Sequence, residues 1–244
     1  MDIVIPLGRN EKRSHWELRY LLRSLELNFL GMGKVWVIGE KPSWITNIEH
    51  IPYGDPYPAN KDGNIIGKIF HVCKQPALSE YFLRCSDDQL LLKPLIPLEH
   101  ANYFDLTAIP KPPPSKWYKR LQATQQYCKK NKWITYNFDT HVPSFVNKEY
   151  FLEFMKDKSL NDKLGVTINT LYFNQYYSRT VGKIPFKCLK PGVRADFTIT
   201  VHDTDNITSM LNNNLFACYS DYGMVQHFVT TIQNMFPNKS KYEL

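Results

Sequence analysis

Two acids side by side close an apolar run. Tyr81-Phe82-Leu83-Arg84-Cys85-Ser86 leads into Asp87-Asp88, and a second apolar run, Leu90 to Leu92, follows at once. At the end of a buried strand each carboxylate loses water and repels the other. A divalent cation cancels both costs, since hard ions such as Mg²⁺ and Mn²⁺ take carboxylate oxygens. Such an ion commonly bridges the phosphates of a bound nucleotide while the protein supplies one or two carboxylates. The pattern points to a transferase with a nucleotide-activated donor, in which Asp87 and Asp88 are metal ligands. The same residues suit a tight Ser-Asp-Asp turn between hairpin strands.

Other residues carry related chemistry. Arg9 directly follows a first strand and can meet a phosphate or a nucleobase carbonyl, or stand as a surface arginine. Lys61, Asp62, Asn64 and Lys68 straddle a helix start, where free N–H groups and the dipole attract phosphate. Asp62 also suits the helix cap, the reading favoured for it. His141, two residues after Asp139, can take a proton from an acceptor hydroxyl while the carboxylate orients it. On an extended segment that spacing puts both side chains on one face. His202, with Asp203 and Asp205, follows a β-branched run and can complete a metal shell or form a polar turn. Asp221 is either a second acid near the site or the cap of a helix over 222–235.

These residues need a scaffold that gathers them. Ile3 to Leu7 reads as a strand, ended by Gly8. Ser14 and Glu17 form a capping box, and Leu18, Leu21, Leu22, Leu25 and Phe29 follow at helical spacing. Gly31 and Gly33 stop that helix, and Val35 to Ile38 is a second strand. Strand, helix and strand in this order favour a parallel pair with a right-handed crossover. After a loop over 52–63, residues 64–75 read as a helix with Ile65, Ile66, Ile69, Phe70 and Cys73 on its apolar face. The acid pair then falls at the C-terminal end of a strand in an α/β sheet, the edge where such sheets bind ligands. Lys111-Pro112-Pro113-Pro114 is a stiff breaker and the best boundary. Helices are expected over 115–131 and 148–157, and a helix or loop over 165–180. The chain thus divides into a nucleotide-sugar and metal-binding half, 1–110, and an acceptor-side catalytic half, 111–244, of the same domain.

Composition limits the class. Hydrophobic residues make up 43% and aromatics 14% of 244 residues, enough for a folded core and against disorder. No run approaches the ~18 apolar residues that cross a bilayer, and no signal peptide opens the chain, so a cytoplasmic location is expected. Cys73, Cys85, Cys128, Cys188 and Cys218 lack paired spacing, so neither a disulfide framework nor a zinc site is expected. The net charge of +7 suits an anionic donor or acceptor. Lysines at 111, 116, 119, 129, 130 and 132 and Arg120 interleave with Trp117, Tyr118, Tyr127 and Trp133. That stretch serves either a nucleic-acid surface or a solvated helix with snorkelling lysines.

The order of segments resembles the Stealth family of sugar-phosphate transferases. The likeness runs through Asp2-Ile3-Val4, Glu17-Leu18-Arg19-Tyr20, Leu22-Arg23-Ser24-Leu25-Glu26, Val35-Trp36-Val37-Ile38 and Pro42-Ser43-Trp44. It continues through Leu78-Ser79-Glu80-Tyr81-Phe82, Ser86-Asp87-Asp88, Leu91, Lys93-Pro94 and His141-Val142-Pro143. It closes with Phe236 to Glu243, and Ser220-Asp221 stands near the place of an Asn-Asp pair. The resemblance implies a GT-A-like α/β core, a nucleotide-sugar donor and a divalent metal. It makes Asp87 and Asp88 the metal and donor ligands and His141 a catalytic candidate. The chain departs at its opening, where Ile5-Pro6-Leu7-Gly8-Arg9 replaces the family's Trp-Val-Asp-Gly.

Together these readings predict a GT-A-like (Rossmann-like) mixed sheet flanked by helices, with a mostly helical acceptor-side subregion. The expected activity is metal-dependent glycosyl transfer from a nucleotide-diphosphate sugar with Mn²⁺ or Mg²⁺. Stealth-type sugar-1-phosphate transfer to a glycan remains open. So do glycosylation of hydroxymethylated DNA bases, as in a virus-type enzyme, and a non-catalytic nucleotide- or nucleic-acid-binding role.

Overall fold

A computed structural model describes residues 1–8, 15–95, 101–103, 116–156, 165–180, 186–188, 204–219 and 223–244. Its centre is a five-stranded sheet in the order β3 (Glu49–Ile51), β2 (Val35–Gly39), β1 (Asp2–Leu7), β4 (Tyr81–Arg84), β7 (Ser144–Asn147). The first four strands run parallel, and β7 pairs antiparallel with β4. The chain is a mixed α/β protein with a mostly parallel central sheet flanked by helices, an arrangement compatible with a Rossmann-like fold.

Alternation along the strands explains the layering. Ile3, Ile5, Val37 and Leu83 face α1 (Trp16–Asn28) and meet Leu18, Leu21, Leu22 and Leu25. Val4, Trp36, Ile38 and Phe82 face the other way, toward α2 (Lys61–Cys73), α4 (Lys148–Met155) and α5 (Ile168–Arg179). With both faces covered, β1 and β2 are almost wholly apolar, as parallel strands require. A smaller third cluster joins β5 (Gln89–Leu91) and β9 (Phe216–Cys218), an antiparallel pair, to α6 (Thr204–Asn213) and α7 (Gln226–Met235). Residues 101–103 (β6) and 186–188 (β8) pair in parallel, and α3 (Lys116–Lys130) packs on α5.

Several boundaries differ from expectation for local reasons. Helix α2 starts at Lys61, because Asn60, not Asp62, is its cap: the Asn60 side chain accepts from the Gly63 N–H at 2.9 Å. Helix α1 starts at Trp16 with His15 at the cap in a left-handed conformation, φ 53°, and no side-chain cap bond. Ser14, the expected cap, lies outside the described residues, as does the triple-proline breaker. Val225 occupies the cap of α7, which starts at Gln226, not at 222, and Asp221 lies outside the described residues. Asp205 falls within α6, not in a turn. Cys73, Cys85, Cys128 and Cys218 are buried and outside any disulfide, in keeping with inert structural thiols. Among the described residues no helix is long and apolar enough to cross a membrane.

Candidate functional site

Asp87 and Asp88 form the turn between β4 and β5, beyond the C-terminal end of a central strand. The Ser86 N–H donates to Gln89 Oε1 at 2.9 Å, which tightens the turn. The Tyr219 N–H donates to the Asp88 carbonyl at 3.2 Å and fixes the turn against the end of β9. Both acids are half-buried. Burial pushes the Asp88 carboxyl up to about 6, and repulsion from Asp87 adds to the rise, while the positive charges of Lys61 and Arg84 pull it back. Asp88 therefore carries its charge at a cost, with Asp87 beside it, the condition that a divalent cation relieves.

The neighbouring candidates separate by what already holds them. Lys61 is exposed at the first turn of α2, and its charge acts on Asp88. Asp62 is ion-paired with Arg120 of α3. Asn64 exchanges hydrogen bonds with the Tyr57 backbone at 3.0 Å, folding the preceding loop onto α2. Lys68 is buried, donating to the Leu7 carbonyl at 2.7 Å and pairing with Asp55 at 2.6 Å. It stitches the ends of β1 and β2: Gly39, φ 121°, passes so close that a Cβ there would lie 2.0 Å from the Leu7 oxygen and 3.1 Å from Lys68 Cε.

Asp139 acts on Arg84 through its charge. Its carboxylate accepts from the Trp117 indole N–H, and its own N–H donates to Asn137 Oδ1 at 2.9 Å. His141 is half-buried with φ 53°, so the chain bends there and the expected shared face of an extended Asp-x-His does not apply. Arg9, His202 and Asp221 lie outside the described residues. Tyr219, bonded to Asp88, precedes Asp221 by two positions. Among the described residues no three His, Cys, Asp or Glu side chains cluster as a metal site. Asp87 and Asp88 can thus offer two carboxylates, the donor set that suits an ion completed by substrate phosphates.

The structure adds residues that sequence reasoning passed over. Arg84 ends β4, and the charges of Asp139 and Asp88 both act on it through space. Its signal was a cation closing an apolar strand shortly before the acids. Tyr219 is buried beside the acids, its hydroxyl without a partner. Burial raises the phenol well above its usual range, and the charges of Glu17, Asp88 and Asp87 add to this. Trp117 had been read only as part of the basic-aromatic stretch and Asn169 left no signal, since only the fold brings them here.

No family model matches the chain. Over 118 residues it is 30% identical to an exopolysaccharide phosphotransferase of Streptomyces coelicolor, covering 41% of this chain and 20% of that protein. This chain resembles part of an exopolysaccharide phosphotransferase. It spans about a fifth of the length of that curated relative, so the likeness supports a sugar-related transferase at the level of a family.

Proposed function

We propose that the protein is a metal-dependent transferase acting on a nucleotide-activated sugar, with Asp87 and Asp88 as its donor edge. The observation that carries this reading is the acid pair beyond a central parallel strand, with Asp88 raised to about 6 by burial and by Asp87. A bound Mn²⁺ or Mg²⁺ would neutralise charge on the donor phosphates. The chain's own residues do the rest. Asp87 and Asp88 hold the ion's site, and Lys61 adds positive charge at the start of α2. His141 or Asp139 accepts the proton of the acceptor hydroxyl. Asp221 and His202 are the remaining ligand candidates, and Arg9 a donor contact.

The partial likeness to a phosphotransferase favours sugar-phosphate transfer. In that reaction the acceptor oxygen attacks the sugar-bearing phosphorus, the phosphoanhydride bond breaks, and a nucleoside monophosphate leaves. Simple glycosyl transfer is the second reading, favoured by the altered opening Ile5-Pro6-Leu7-Gly8-Arg9. There the oxygen attacks the sugar C1 and a nucleoside diphosphate leaves. The acceptor is a glycan in either case. Chromatography of nucleotide products after incubation with Mn²⁺, a panel of nucleotide-sugars and a glycan acceptor separates the two. Monophosphate supports the first reading and diphosphate the second, while no turnover of any donor tells against a transferase.

A further inference from the structure

We infer that Arg84 and the first turn of α5 form a phosphate-binding subsite beside the acid pair. Arg84 is only 7% exposed, yet its hydrogen bonds are few and long. Nη1 donates to Asn169 Oδ1 and Nη2 to Ser86 Oγ, each at 3.3 Å, and Nε has no partner. Both partners are neutral. Asp139 and Asp88 act on the guanidinium only through space. A buried arginine normally sits in a direct carboxylate pair, because a desolvated charge without one is costly. Its five donors suit a tetrahedral oxyanion, whose charge-assisted bonds are shorter than the two now present.

The second half of the subsite is the helix that Arg84 reaches. Asn169 is the second residue of α5, and that helix has neither a side-chain cap bond nor an acid in its first turn. The Thr167 hydroxyl, at the cap position, turns instead to Thr124 of α3 at 3.4 Å. An uncapped helix start presents N–H groups and the positive end of the dipole to an anion. Asp139 does not fill this place, since its carboxylate is engaged by Trp117. A phosphate oxygen arriving between Arg84 and α5 would receive the guanidinium fork and the helix N–H groups together. The subsite rests on the proposed transferase reading only for the source of the phosphate, a donor diphosphate or a phosphorylated acceptor.

The test is thermal unfolding of the full chain in chelator, with inorganic phosphate and with nucleoside diphosphates as probes. Wild type should gain about 5 °C at roughly a hundredfold excess of phosphate over its dissociation constant. Arg84→Met should unfold at a higher temperature than wild type without ligand and lose the response. Asn169→Asp, nearly isosteric, should pair with Arg84 and also lose it, which guards against a folding defect in the first variant. Tighter binding of diphosphates than of phosphate assigns the subsite to the donor, and equal binding assigns it to an acceptor phosphate. A wild type indifferent to phosphate, or a response kept in both variants, overturns the subsite. If the phosphate response vanishes in both variants but no nucleotide-sugar turns over, the subsite stands and the transferase reading falls.

Discussion

Asp88, beyond β4, and Glu243, beside the C-terminal residue, are carboxylates that the protein shields from water, and it treats them in opposite ways. Burial would raise the Glu243 carboxyl too. Hydrogen bonds from Arg23, from the Ser240 amide and from Arg19 overcome that and hold it down at about 2. The bonds are short: Arg23 Nε at 2.7 Å, Arg19 Nη1 at 2.8 Å, Arg23 Nη2 at 2.9 Å and the Ser240 N–H at 3.0 Å. Arg19 also lies 4.0 Å over the Trp44 ring, and the Leu244 N–H donates to the Trp44 carbonyl. The C-terminal strap is thereby clamped onto α1 with its charges satisfied. At the acid turn the cations nearby make no such bonds to Asp88, which rises to about 6. One region spends its charges on stability, and the other keeps them uncompensated, as a ligand site requires.

The comparison can be broken most sharply at the clamp. Glu243→Ala strands two arginines and should cost about 3–5 kcal/mol in urea unfolding, with activity per folded molecule unchanged. A cost under about 1 kcal/mol would place it with exposed ion pairs. Asp88→Asn should do the reverse. Turnover should fall by ~10²-fold or more, while the melting temperature without metal stays level or rises.

The pH dependence should carry opposite signs. Glu243 has a folded value of about 2 against an ordinary 4.5, so its contribution is full above 4.5 and is lost as pH falls toward 2. Asp88 has a folded value of about 6 against an ordinary 3.8, so it contributes stability below 3.8 that is lost as pH rises through 6. Melting curves of wild type, Glu243→Gln and Asp88→Asn across pH 2–7 would resolve both slopes, and slopes of the same sign would refute the contrast. The smallest effect belongs to exposed pairs. Breaking Lys34–Glu49 or Arg179–Glu153, at 2.9 and 3.1 Å, should change stability by about 0.5 kcal/mol or less.

Much of this architecture was legible in the chain because it is written in local periodicity. The α1 stripe, the β1 and β2 runs and the acid pair beyond β4 follow from spacing alone, and the parallel pairing of β1 with β2 follows from the strand-helix-strand order. What stayed hidden depends on contacts distant in sequence. Asn60 displaced Asp62 as the α2 cap, while Asp62 was drawn to Arg120, 58 positions later. Lys68 looked like a free donor-edge cation but is held by the Leu7 carbonyl and Asp55. The left-handed bend at His141 could not be read from its residue type. Arg84 was in plain view beside the acids, but its missing partner shows only in three dimensions.

The most direct test of the central claim is a Mn²⁺ titration followed by electron paramagnetic resonance, with and without a nucleoside diphosphate, on wild type and Asp88→Asn. The account predicts that wild type takes up Mn²⁺ together with the nucleotide and that Asp88→Asn does not. Equal uptake by the two chains, or none by wild type, would contradict the assignment of Asp87 and Asp88 as the donor edge.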